Sequence, residues 1–232
     1  MPIEKNVADL RQAIRQAAIA AGRDPESVML CAATKMNDAE AVRRAIAAGV
    51  DCCGENRVQE LTAKKAQDAY RGKPVHFIGH LQTNKVNQVV GKVDLIQSAD
   101  RVDLLKALEK EAARQGIVQS VLLEVNIGGE ESKSGFTPEE IPEIVDSFSQ
   151  YPHLKAEGLM AIPPVSTFSG ENLQFFSKMY NLFVDISRKK YDNVIMVHLS
   201  MGMSDDFADA IACGSTMVRV GTAIFGPRNY HA

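Results

Sequence analysis

Eight short apolar runs alternate with helical patterns along this chain, and the alternation restricts the fold more than any other feature. The runs are residues 28–34, 50–53, 75–80, 93–98, 121–126, 157–162, 194–199 and 216–220. Each has the length and composition of a buried strand. Between them, apolar residues recur at helical spacing. Val42, Ala45 and Ile46 form one such set, and Val58, Leu61 and Ala66 the next. Val86, Val89 and Val90 mark a helix over 81–90, and Leu105, Leu108 and Ala112 another over 101–115. Phe175, Phe176, Met179, Phe183 and Ile186 lie in a long helical stretch over 171–189, an aromatic stripe that reads as core. Asp38 is placed to cap a helix, and Thr137-Pro138-Glu139-Glu140 is a capping box that predicts a helix start. A further helix, with apolar positions at Val7, Leu10, Ile14, Ala17 and Ala18, covers residues 4–22 before the first strand. Eight strands, seven helices and a short final turn predict an α/β fold: a single (β/α)8 TIM barrel over 1–232 with an extra N-terminal helix.

The chain has 232 residues, 45% of them hydrophobic, enough to bury one full core. A net charge of -3 spread over both signs argues against a nucleic-acid or acidic-membrane partner. No apolar run reaches membrane length, and the residues after Met1-Pro2-Ile3 are charged and amphipathic, not a signal core. A soluble cytoplasmic protein is expected. Cys31, Cys52, Cys53 and Cys213 form no C-x-x-C pair and lie in apolar stretches, so reduced thiols in the core are expected. His76 and His80 are four apart, but on a strand that is about 13 Å, and no metal site is expected from them.

In a barrel of this kind the carboxyl ends of the strands converge on one mouth. Here they supply Lys35, Asn56, His80, Ser98, Asn126, Ser200, Arg219 and Thr222. Lys35 closes the first run. A lysine there loses water, so its pKa falls toward the nucleophilic range and it can form an imine with a carbonyl. Alternatively it snorkels from the strand end into solvent, and this stretch alone does not choose. Gly54-Glu55-Asn56 ends the second strand, where Glu55 and Asn56 would point above the sheet or simply turn and cap the next helix. His80 either faces the site or is hydrogen-bonded for structure. The loop 128–135 is long and glycine-rich, either functional or mobile. The last two strand ends each carry a hydroxyl and a glycine ahead of a helical turn, a frequent phosphate site in this fold. A lysine beside a phosphate cradle suggests a ligand with an aldehyde and a phosphate, as in pyridoxal 5'-phosphate.

Several longer stretches carry a closer resemblance. They include Ala33-Thr34-Lys35, Gly54-Glu55-Asn56-Arg57-Val58-Gln59-Glu60, and His76-Phe77-Ile78-Gly79-His80-Leu81-Gln82-Thr83-Asn84-Lys85. Ser132-Lys133-Ser134-Gly135, Gly158-Leu159-Met160-Ala161-Ile162, Leu199-Ser200-Met201-Gly202-Met203-Ser204-Asp205-Asp206 and the run from Gly214 to Gly226 add to them. In these stretches the chain resembles the YggS/PROSC family, the pyridoxal 5'-phosphate homeostasis proteins. The resemblance implies a monomeric barrel like the cofactor domain of alanine racemase, the fold-type III arrangement. It implies pyridoxal 5'-phosphate held as an imine on Lys35, with the phosphate near Ser200, Gly221 and Thr222. It puts Arg219 beside the pyridine nitrogen, and Asn56, His80 and Met201 among the cofactor-binding positions. The implied role is to bind the cofactor and balance its free pool and linked amino-acid pools, with pyridoxal-phosphate apoenzymes as candidate partners.

Two rival functions stand beside it: a pyridoxal-phosphate amino-acid racemase, and a phosphosugar enzyme using Lys35 as an aldolase-type nucleophile. The family brings no established catalytic reaction. Arg219 facing the ring nitrogen would disfavour its protonation and weaken the electron sink that carbanion chemistry needs. The chain ends at Ala232, soon after the eighth strand, so a site-closing second domain is not expected.

Overall fold

A computed structural model describes residues 2–165, 168 and 170–226. The last positions of the expected single domain, 227–232, lie outside the described residues. Eight parallel strands close into one barrel in sequence order. They are β1 (Met29–Ala33), β2 (Cys52–Glu55), β3 (Val75–Phe77), β4 (Leu95–Ala99), β5 (Gln119–Val125), β6 (Leu154–Ala161), β7 (Val194–Ser200) and β8 (Met217–Val220). β8 pairs back onto β1, Cys31 lying opposite Arg219 and Ala32 opposite Val220. The helices are α1 (Ile3–Ala20), α2 (Ala39–Ala47), α3 (Val58–Ala66), α4 (Val102–Gln115), α5 (Ile141–Asp146), α6 (Leu173–Ser187), α7 (Phe207–Ala212) and α8 (Thr222–Phe225). This is the expected TIM barrel with its extra first helix. Val7, Leu10, Ile14 and Ala18 of α1 are buried, as their spacing requires, while Ala17 is partly buried at the edge of that face.

Caps and stops act where the sequence puts them. Asp38 accepts the Ala41 amide at 2.8 Å and starts α2. Gly116, left-handed at φ 67, ends α4. Three expectations change. Residues 83–88 form a 3₁₀ helix in place of the expected α-helix; this segment carries two asparagines and a valine, which favour the α form weakly. The Thr137 capping box forms reciprocally, Glu140 Oε2 accepting the Thr137 amide and Thr137 Oγ1 accepting the Glu140 amide. It closes only a turn, because Pro142 has no N–H to offer the carbonyl of Pro138, and α5 starts at Ile141. β6 starts at Leu154, three residues before the expected run, and Gly158 within it sits at φ 146. A Cβ there would lie 1.8 Å from the His198 carbonyl oxygen of β7, so only glycine permits the two strands to pass. No helix among the described residues is long and apolar enough to cross a membrane.

Candidate functional site

Lys35 lies in the turn directly after β1, half-buried. β1 is hydrogen-bonded to β2 on one side and to β8 on the other, so Lys35 stands between the Asn56 end and the Gly221–Thr222 end. The backbone around it is held at three points. Lys64 Nζ donates to the Thr34 carbonyl at 2.7 Å, Asn37 Nδ2 donates to the Lys35 carbonyl at 3.0 Å, and Glu60 accepts the Met36 amide at 2.6 Å. Met36 itself is left-handed at φ 61, a conformation a non-glycine residue keeps only when its surroundings impose it.

The group behind this clamp is a buried ion pair. Lys64 Nζ is 2.8 Å from Glu55 Oε1, with side chains 6% and 0% exposed. Thr34 Oγ1 and Tyr70 Oη also donate to Glu55 Oε1, the latter at 3.0 Å. Burial, with the Glu55 charge adding, pushes the Tyr70 phenol up, so it remains a donor. Glu55 therefore faces α3 and the outer wall of the barrel, not the space above the sheet, which was one of the two placements its sequence left open. Asn56 takes the other direction. Its Oδ1 is buried without a protein partner. Its backbone is fixed by Gly79, where a Cβ would meet the Asn56 carbonyl oxygen at 2.2 Å.

Asn56 and His80 line a cleft of about 240 Å³ together with Ile78, Glu124, Ser134 and Ile162. His80 has its side chain 55% exposed and its Nδ1 3.1 Å from Asp100 Oδ2 and 3.2 Å from Ser134 Oγ. The glycine-rich loop is tied down rather than loose. Asn126 Nδ2 donates to the carbonyls of Glu130 and Lys133, and Lys133 Nζ donates to the Pro163 carbonyl at 3.0 Å. Ser98 is buried within β4, its hydroxyl also without a protein partner.

Opposite this cleft, Arg219 of β8 is 5% exposed. Its Nη1 donates to Ser200 Oγ at 2.6 Å and its Nη2 to the Ala161 carbonyl at 2.9 Å. Ser200 Oγ donates in turn to Gln97 Oε1 at 2.7 Å. Burial lowers the Arg219 pKa, but a guanidinium remains the charged form in proteins. Ser200, expected at a phosphate, is thus fully buried and engaged as a brace for Arg219. Met201 follows the same pattern, its side chain packed in the apolar core. Gly221 and Thr222 open α8 at the mouth, with Thr222 exposed. A Cβ on Gly221 would come within 3.2 Å of the Ala33 carbonyl, so glycine keeps β8 close to the Lys35 strand.

The structure therefore brings Lys35, Gly221 and Thr222 to adjacent strand ends, joins Arg219 to Ser200, and pairs Asn56 with His80 in one cleft. Sequence reasoning passed over Glu124, whose sign was an acid within an apolar strand run. Burial, and then the neighbouring Asp100, raise its carboxyl to about 7 against the partial relief of Arg219. The folded chain therefore holds this proton to higher pH than the unfolded chain does. The penalty for ionising it enters as pH rises from about 4.5 through about 7. Glu124→Gln should leave stability unchanged near pH 4 and raise it by roughly 3 kcal/mol above pH 8. Urea unfolding of both proteins at the two pH values measures this; an equal difference at both would refute it.

Comparison with known proteins gives the same outline. The model for the alanine racemase N-terminal domain matches residues 3–229. The pyridoxal phosphate homeostasis protein of Aquifex aeolicus is 42% identical, covering 94% of both chains. That of Pseudomonas aeruginosa is 40% identical over 99% of this chain and 97% of its own. Among solved structures, PipY of Synechococcus elongatus with PLP bound superposes with a TM-score of 0.82 at 31% identity, covering 97% of this chain and 100% of PipY. An alanine racemase of Clostridium difficile shares the fold alone, at 16% identity and a TM-score of 0.64 over 88% of this chain and 54% of its own. The chain belongs to the alanine racemase N-terminal domain family and, within it, to the pyridoxal phosphate homeostasis proteins.

Proposed function

We propose that this protein binds pyridoxal 5'-phosphate, holds it on Lys35, and serves to keep the intracellular pool of the cofactor in balance. When bound, the cofactor supplies an aldehyde for covalent attachment to an amine, and a phosphate for noncovalent grip. The donor set fits that chemistry. The observation that carries the reading is the clamped turn that presents Lys35 between Asn56, with its unpartnered buried oxygen, and the Gly221–Thr222 start of α8. Lys35 provides the amine. The exposed Thr222 hydroxyl and the Ala223 amide, which among the described residues meets only Ser204 Oγ at 3.4 Å, suit the phosphate. Arg219, braced by Ser200 and Gln97, is assigned to the ring nitrogen, where its fixed charge keeps a proton off. That assignment favours storage over carbanion chemistry. A cytoplasmic, monomeric protein that exchanges cofactor with apoenzymes accords with this role.

The test is a visible spectrum of the purified chain after addition of pyridoxal 5'-phosphate and removal of excess. A stable absorption band that hydroxylamine removes is expected. Incubation with L-amino acids in deuterated water should then give α-proton exchange no faster than free cofactor does. A colourless protein would overturn the binding reading, and exchange well above the free cofactor would make the protein an enzyme.

A further inference from the structure

Below the mouth, the barrel interior contains a group of soft donors that the cofactor reading does not use. Cys31 of β1 and Cys52 of β2 are register partners, and His76 lies in the middle of β3. The three are 0%, 0% and 4% exposed. Their donor atoms all lie within 4.8 Å of one another, and Cys52 Sγ is 3.6 Å from His76 Nδ1. With metal–sulfur and metal–nitrogen bonds of about 2.0–2.3 Å, two ligands of one ion stand about 3.5–4 Å apart. The Cys52–His76 separation is therefore that of two donors sharing an ion. Arg219 is the register partner of Cys31 on the other side, so a fixed cation borders the thiols.

We infer that Cys31, Cys52 and His76 form a buried binding site for Cu(I). Two thiolates and an imidazole are soft ligands, and three of them complete a trigonal site for this ion. Leu95, Leu122, Met160 and Met217 pack against the two cysteines and leave an apolar lining. Zn(II) would need a fourth donor, for which the neighbouring thioethers of Met160 and Met217 are a poor choice. Binding forms two Cu–S bonds and one Cu–N bond and releases the protons still on the thiols. The copper stays Cu(I) throughout, so no oxidant or reductant is involved. The His76 Nδ1 lone pair now accepts from Gln97 Nε2 at 2.8 Å. The metal takes that place, while Gln97 keeps its contacts to Ser200 and to Met217 Sδ, the latter at 3.1 Å. Two thiolates on one Cu(I) leave a charge of minus one, which the neighbouring guanidinium offsets.

The inference is independent of the cofactor reading, and the experiment uses the full chain. The reduced protein is titrated anaerobically with Cu(I) against a chromophoric Cu(I) chelator, with Zn(II) titrated in parallel. One tightly held Cu(I) per chain is expected, with proton release and loss of two of the four thiols to a thiol reagent in denaturant. Cys52→Ser should lose more than about 100-fold in affinity, while Cys213→Ser, at the partly exposed cysteine, should bind like the parent. If Cys52→Ser fails to fold, X-ray absorption on the copper-loaded parent decides: two sulfurs and one nitrogen are expected around the metal. No retained Cu(I), unchanged binding by a folded Cys52→Ser, preference for Zn(II), or a copper shell with any other donor set would overturn the proposal.

Discussion

Replacing Lys64 by methionine should destabilise the protein by about 3–5 kcal/mol, because it leaves the Glu55 carboxylate buried with no cation. Glu55 is fully buried and, among the described residues, keeps two hydroxyl donors, from Thr34 and Tyr70. The same change removes the donor to the Thr34 carbonyl, one of three ties on the Lys35 turn. Covalent capture of cofactor should therefore weaken even at temperatures where the variant is folded. Changing the partner as well separates charge from packing. Glu55→Gln in the Lys64→Met background removes the unpaired charge while an amide oxygen still accepts from Thr34 and Tyr70. The double variant should regain most of the lost stability, and a double-mutant cycle in urea gives the coupling directly. Equal and additive losses in the two single variants would show that the pair is not coupled.

The second large effect concerns the phosphate. Charge-assisted hydrogen bonds from the Thr222 hydroxyl and the weakly engaged Ala223 amide are each worth roughly 1.5–3 kcal/mol. Even one such bond corresponds to about tenfold or more in affinity. Pyridoxal without its phosphate should accordingly bind at least about tenfold, and with two bonds over a hundredfold, more weakly than the ester. Thr222→Ala should close part of that gap by weakening the ester alone, since Thr222 is exposed and its side chain supports no core packing. Competition titrations of both ligands on both proteins measure the four affinities. Equal affinity for pyridoxal and its phosphate would remove the cradle from the account.

Strand count, order and closure were readable because each run carries its own periodicity, and the strand ends then followed from topology. Lys35, Asn56 and Thr222 stand at strand ends as that topology requires, whereas Arg219 is buried within β8. What could not be read was direction. Glu55 and Asn56 are neighbours in a strand end, yet one turns outward to Lys64 and the other inward to the cleft. The choice depends on Lys64, nine residues on, facing back from α3. Ser200 was legible as a hydroxyl at a strand end but not as a brace for Arg219, since that contact joins side chains nineteen residues apart. Glu124 and the Cys31–Cys52–His76 group escaped because burial sets their chemistry, and burial inside a barrel is a property of the closed sheet. The late start of α5 was, in contrast, available from Pro142 by counting hydrogen-bond donors.

The central claim is that Lys35 is the residue that captures the cofactor. Its most direct test is borohydride reduction of the cofactor-loaded protein, followed by peptide mapping of the parent and of Lys35→Ala. The account predicts one phosphopyridoxyl group per parent chain, on Lys35, and none above background on the variant, which still binds the ester reversibly through its phosphate. Full labelling of Lys35→Ala, or labelling of the parent at another lysine, would contradict it.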